Sequence, residues 1–128
     1  MQLGVTVFLT DRTIDPVSLA REAEERGFAS VWVPEHTHIP TSRRTPAPTG
    51  EPIAEEYLRS LDPFVVMAMM AAVTERVRLG TGVALLAERD PIVTAKEVAT
   101  IDHLSHGRMT LGIGYGWNIE ELENHGGS

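Results

Sequence analysis

Apolar and polar positions along the chain follow two different periods. Compact runs rich in β-branched and other apolar residues at 3–8, 30–34, 77–86 and 109–114 predict strands, and longer stretches at 15–27, 62–76 and 90–106 predict helices. Strands that alternate with helices of this length imply βαβ units and a parallel sheet. The expected order is β-α-β-α-β-α-β, followed by the start of a fourth helix.

A weak internal repeat supports this order. All three helices open on the same pair, Asp15-Pro16, Asp62-Pro63 and Asp90-Pro91. Aspartate accepts from the free N–H groups of a first turn, and proline has no N–H to waste there. Gly27 and Gly107 stand where a left-handed C-cap is wanted, and Asn118 with Glu121 resembles a capping box for the fourth helix. His103 and His106 fall in the expected last turn of the third helix, where a cation complements the helix dipole. The second connection, 35–61, is long and rich in Pro, Thr, Ser and Gly, which predicts an inserted irregular loop over one face. From Phe64 to Val73 no polar stripe appears. A helix apolar all round must be buried all round, by a subunit interface or by another part of the same protein.

The chain has 128 residues, enough for one domain but about half of the roughly 250 that a closed (β/α)8 barrel needs. The expected fold is therefore α/β, the N-terminal half of a (β/α)8 TIM barrel, as a single domain over 1–128. Hydrophobic residues make up 42% and charged residues 23%, which argues for a folded globular chain. A net charge of -7, with no stretch of basic and aromatic residues, argues against nucleic acid as a partner. The longest apolar run is too short to span a bilayer, and the N-terminus lacks a secretory pattern, so a cytoplasmic protein with no membrane partner is expected. With no cysteine, disulfides, thiolate metal sites and cysteine nucleophiles are excluded.

In parallel β/α folds the chemistry sits at the C-terminal ends of the strands. After the second strand come Glu35, His36, Thr37 and His38, a dense titratable cluster. Glu35 and His36 facing a barrel mouth would be catalytic, because a histidine can give or take a proton near neutral pH; the alternative is a cluster that merely solvates a loop. His36 and His38 alone do not make a metal site, and no metal is expected. The third strand ends in Thr81-Gly82-Val83 and the fourth in Gly114-Tyr115-Gly116-Trp117-Asn118. Glycines there permit close backbone approach to a ligand, or serve tight turns and strand packing.

These residues resemble the luciferase-like monooxygenase superfamily, most closely its coenzyme F-420-dependent oxidoreductases. The ordered markers are Ala23 to Phe28, Val31 to His36, Leu79 to Val83, Asp90-Pro91 through Ala95 to Ser105 with Gly107-Arg108, and Gly112 to Asn118. The resemblance implies a TIM barrel with an inserted loop, usually dimeric, holding F-420 (a deazaflavin) or alternatively FMN at its mouth. It implies that Glu35 and His36 lie beside the reactive ring, that Gly82-Val83 is a non-proline cis bulge under it, and that 114–118 line the cofactor and substrate side. The function implied is hydride transfer between this cofactor and a small organic substrate. Alternatives are an FMN-dependent monooxygenase and an inactive half-barrel or assembly module.

Two departures limit the carry-over. Sugar-phosphate dehydrogenases of the family place a catalytic glutamate where this chain has Trp117, and the chain stops at Gly126-Gly127-Ser128, where the family continues into the other half of the barrel. With the first and fourth strands lacking outer partners, their open edges and the Phe64 to Val73 helix predict a homo-oligomer, most simply a dimer.

Overall fold

The computed structural model describes residues 1–48, 50 and 52–127. Thr49, Glu51 and Ser128, which the loop and domain expectations include, lie outside the described residues. Among the described residues six short strands and five helices are arranged as β1 (Gly4–Thr6), α1 (Pro16–Glu25), β2 (Ser30–Val33), α2 (Glu55–Arg59), α3 (Pro63–Ala71), β3 (Arg78–Thr81), β4 (Ala84–Leu85), a 3-10 turn (Leu86–Glu88), α4 (Pro91–Leu104), β5 (Met109–Thr110), β6 (Ile113–Gly114) and α5 (Ile119–Asn124). A four-stranded parallel sheet runs in the order β1-β2-β3-β5, and β4 pairs with β6 in a small second parallel sheet. This is the α/β half-barrel pattern that the alternating periods predict.

The three aspartates do open the helices. Asp15 accepts from the Ser18 N–H, Asp62 from those of Phe64 and Val65, and Asp90 from those of Ile92 and Val93. Gly27 and Gly107 have φ of 80° beyond the ends of α1 and α4, as a left-handed C-cap requires. One face of the sheet buries Val31, Val33, Leu79 and Met109 against Leu19, Ala20 and Ala23 of α1 and Met67 and Met70 of α3. On the other face a large indole lies among small neighbours: a Cβ on Gly80 would stand 2.4 Å from the Trp32 ring, and one on Gly4 would stand 2.4 Å from the Ser30 hydroxyl and 3.1 Å from Trp32 Nε1.

At the N-terminal end of the sheet, two charges are spent on backbone, Glu24 half-buried and Arg108 buried. The Glu24 carboxylate accepts from the N–H groups of Glu75, Arg76 and Val77 at 3.1, 2.6 and 2.9 Å. Burial opposes its ionisation, but those three N–H groups and the Arg76 charge outweigh it and hold the carboxyl below the ordinary range. The Arg108 guanidinium donates to the carbonyls of Ser105, Val77, Ala71 and Thr74 at 2.8 to 3.0 Å and to the Thr74 hydroxyl at 2.8 Å. It therefore closes the C-terminal end of α3, whose last carbonyls have no partners within the helix.

Several expectations need correction. The third and fourth strands each break in two, because the backbone turns at Gly82-Val83 and again at 111–112 so that β4 and β6 pair separately. The loop over 35–61 is not irregular throughout, since α2 lies inside it. His106 is not in the last helical turn; α4 ends at Leu104 and His106 takes φ 57° beyond it. The capping box does not form: Asn118 makes no side-chain cap bond, and Glu121 turns inward to a different partner. Within this chain α3 is covered on one side only, with Val65 and Met69 62% and 46% exposed. No described helix is long and apolar enough to cross a membrane.

Candidate active site

The C-terminal ends of β2, β3 and β6 surround a cavity of about 490 Å³ lined by Phe8, Glu35, His36, Tyr57, Gly82, Val83, Leu85 and the run Gly114 to Trp117, among others. A roomier cavity of about 570 Å³ lies along α4 beside Thr94, Val98, Asp102 and Met109. Asp102 is its only ionisable lining group, so the chemistry belongs to the former.

His36 is buried at the base of the mouth. Its Nδ1 lies 2.7 Å from Oε2 of Glu121 and its Nε2 3.3 Å from the indole Nε1 of Trp117. The rings of Tyr57 and Trp117 stand 5.2 and 5.6 Å from the imidazole, and Phe8 packs 4.8 Å from Tyr57. Glu121 has no exposed surface, and its other oxygen accepts from the Thr37 N–H at 3.0 Å. Burial disfavours its ionisation, but the His36 hydrogen bond and charge, with the N–H groups of His38 and Thr37, more than offset this and hold its pKa below the ordinary carboxylate range. The neighbouring Glu120 accepts from the Thr45 hydroxyl at 2.7 Å and N–H at 3.0 Å and from the Arg44 N–H. Its pKa falls to about 2, chiefly through the Thr45 hydroxyl. Adjacent glutamates at the start of α5 thus anchor two points of the long connection.

Glu35 is also buried, but both of its oxygens are taken, by the Leu85 N–H at 2.7 Å and by Arg89 Nε at 2.6 Å. Arg89 also reaches Asp62 at 2.7 Å and Glu97 at 3.4 Å, and it lies 4.4 Å over the Phe64 ring. One residue earlier, Glu88 is buried with Oε2 unpartnered by any hydrogen bond; His125 Nε2 lies 4.0 Å from it. Burial, helped by the charges of Glu121 and Glu35 and opposed by Arg89, pushes its carboxyl up to about 7.

The Gly82-Val83 peptide is cis, as the resemblance implies. Val83 faces the mouth, and β6 passes so close that a Cβ on Gly114 would stand 2.7 Å from Val83 Cγ2. Gly116 takes φ 79°. Together Gly82, Val83, Leu85, Gly114 and Gly116 leave an apolar floor with few side chains standing on it.

The structure brings together at the mouth eight of the sequence-predicted residues: Glu35, His36, Gly82, Val83, Gly114, Tyr115, Gly116 and Trp117. Two others stand apart from the lining. Thr81 is fully buried, its hydroxyl donating to the Gly112 carbonyl at 2.7 Å and accepting from the Gly112 N–H at 2.9 Å, which ties β3 to the 111–112 turn. Asn118 is buried with both side-chain polar atoms unpartnered. Sequence reasoning did not find Glu121, Tyr57, Arg89 or Glu88. An acidic residue opening a helix just after a strand end was the available signal for Glu121, and the capping pattern explained it locally.

A family profile described as luciferase-like monooxygenase matches residues 11–128. An uncharacterized protein of Mycobacterium tuberculosis is 50% identical over 98% of this chain and 46% of its own length. The chain thus spans about half the length of the curated relatives it matches. The crystal structure of the monooxygenase RslO1 from Streptomyces bottropensis superposes with a TM-score of 0.78 at 28% identity, over 100% of this chain and 37% of that one. An F420-dependent secondary alcohol dehydrogenase in complex with an F420-acetone adduct superposes with a TM-score of 0.67 at 25% identity, over 90% of this chain and 32% of that one.

Proposed function

This chain belongs to the luciferase-like monooxygenase family, whose members are oxidoreductases and monooxygenases, and we propose that its mouth carries one half of a flavin-type oxidoreductase site. The observation that carries the reading is the placement of His36 Nε2 in the same cavity as the Val83 floor. A planar ring system suits that floor, because the glycines at 82, 114 and 116 project no side chain into it and Val83 and Leu85 offer apolar contact.

In this reading Gly82, Val83, Gly114 and Gly116 hold the cofactor, and the cofactor, when bound, accepts or donates a hydride. His36 gives or takes the accompanying proton at Nε2. Tyr57, Phe8 and Trp117 wall the imidazole and exclude water. Glu35 serves by holding Leu85 and Arg89 in place, since neither oxygen is free for substrate. Trp117 offers an indole donor and no carboxylate, so a reaction that needs an acid at this position is not the one performed. Likeness to the F420-dependent alcohol dehydrogenase favours the deazaflavin, with FMN as the alternative.

Titration of the 128-residue chain and of a barrel-length relative with F-420 and with FMN, followed by visible absorption, tests the reading. Saturable binding of one cofactor that weakens on Gly114→Val is the expected result. Failure of both cofactors with the barrel-length protein would sink it. The proposal includes a homodimer through α3, supported by the exposed Val65 and Met69; light scattering at low micromolar concentration should give twice the 14.0 kDa chain mass.

A further inference from the structure

Each ring nitrogen of His36 has one neighbour, and the two neighbours differ in kind. Trp117 Nε1, 3.3 Å from Nε2, is an indole N–H and can only donate. The nitrogen it addresses is therefore the unprotonated one. The single proton of the neutral ring then sits on Nδ1 and is donated to Glu121 Oε2 at 2.7 Å. The carboxylate is itself fixed: its second oxygen takes the Thr37 N–H at 3.0 Å and the His38 N–H at 3.5 Å, and it has no exposed surface. Rotating it away would orphan those main-chain donors in a buried place.

We propose that Glu121 is the positioning residue for His36, fixing the Nδ1–H tautomer and the ring orientation so that Nε2, which accepts from the Trp117 N–H here, carries the lone pair that serves as the base. The inference rests on the reading of the mouth as a redox site. In the proton step a substrate X–H takes the place of the long Trp117 N–H contact at Nε2, the Nε2 lone pair takes its proton, the bonding pair stays on X, and the positive charge on the ring is met by the Glu121 carboxylate. The proton later leaves from Nε2. A carboxylate behind a histidine of this kind sets both its tautomer and its basicity.

The primary test needs no cofactor. Two-bond proton–nitrogen correlation on the 15N-labelled chain, with His36 assigned through the loss of its signals in His36→Asn, is expected to show a protonated Nδ1 and a bare Nε2 in the neutral ring. In Glu121→Gln the amide sets a donor against Nδ1, and the proton is expected to move to Nε2; Glu121→Asp should keep the original tautomer. A wild-type ring protonated on Nε2, or a Gln variant that retains Nδ1–H, overturns the proposal, and the wild-type spectrum decides even if the Gln variant does not fold. In the cofactor-loaded protein, Glu121→Gln should bind cofactor within about two-fold of wild type while turnover falls about 10²- to 10⁴-fold, partly restored in Glu121→Asp. Unchanged turnover in a variant with the switched tautomer also overturns it. A wild-type protein that binds neither F-420 nor FMN defeats the redox reading instead, and the ring spectrum still decides the pairing.

Discussion

The two ends of the central sheet bury charge in opposite ways. At the N-terminal end Glu24 and Arg108 are each surrounded by main-chain groups of the complementary kind, three N–H donors for one and four carbonyls for the other. At the C-terminal end Glu35, Glu88 and Glu121 crowd together, and Glu88 keeps an oxygen without a partner. Arg108 is as buried as Glu88, so burial alone does not separate structure from chemistry here. Satisfaction does: charge that answers backbone stabilises the fold, whereas charge left under-answered is held there by the rest of the fold and is available to a ligand or a proton.

The largest effect that bears on this contrast should come from Arg108→Leu. The change strands the carbonyls of Ala71, Thr74 and Val77 in a buried place, and a loss of about 3–5 kcal/mol in denaturant unfolding is expected. A loss under about 1 kcal/mol would mean that water reaches those carbonyls and that the N-terminal end is not sealed.

Glu88→Gln should act in the opposite direction. The folded-state pKa of Glu88 is raised to about 7 from 4.5, so ionisation costs stability: the wild type is unpenalised below its unfolded pKa and loses stability as pH rises toward 7. Between pH 4 and pH 8 the wild type should lose about 3 kcal/mol relative to the variant, read from urea midpoints. A flat difference across that range would remove the contrast between the ends.

The smallest expected effect, from Glu24→Gln, has the reverse pH window. Because the folded pKa of Glu24 is depressed, its contribution is present above the unfolded carboxylate pKa and is lost as pH falls through the folded value. The variant should be about 1–2 kcal/mol less stable at pH 7 and should approach the wild type in acid. Equal deficits at both pH values would assign the effect to packing.

What the sequence made legible was local. Each Asp-Pro pair announces its helix because cap and first turn lie within three residues, and the strands alternate with helices at spacings only a parallel arrangement satisfies. The breaks in the third and fourth strands were not legible, because they depend on β4 meeting β6 some thirty residues away, as in the Ala84–Ile113 register. His36 stood out as a titratable group at a strand end, yet its partner lies 85 residues along the chain. Glu121 satisfied a local capping rule on paper, but a buried carboxylate gains more from an imidazole and two main-chain donors than from a helix end already near solvent. Tyr57 was hidden because a connection rich in Pro, Thr, Ser and Gly gave no sign of the short helix that carries it.

The packing of Trp32 constrains how this sequence can change over generations. Its ring fills the space that a side chain at 80 would need, with a Cβ at 80 falling 2.4 Å from the ring carbons. Gly80 cannot be replaced while the tryptophan stays. Drift at these two positions on neighbouring strands must therefore be concerted, with a smaller residue at 32 arriving before or with a larger one at 80. Among homologues, the identities at the two sites should vary as one linked character.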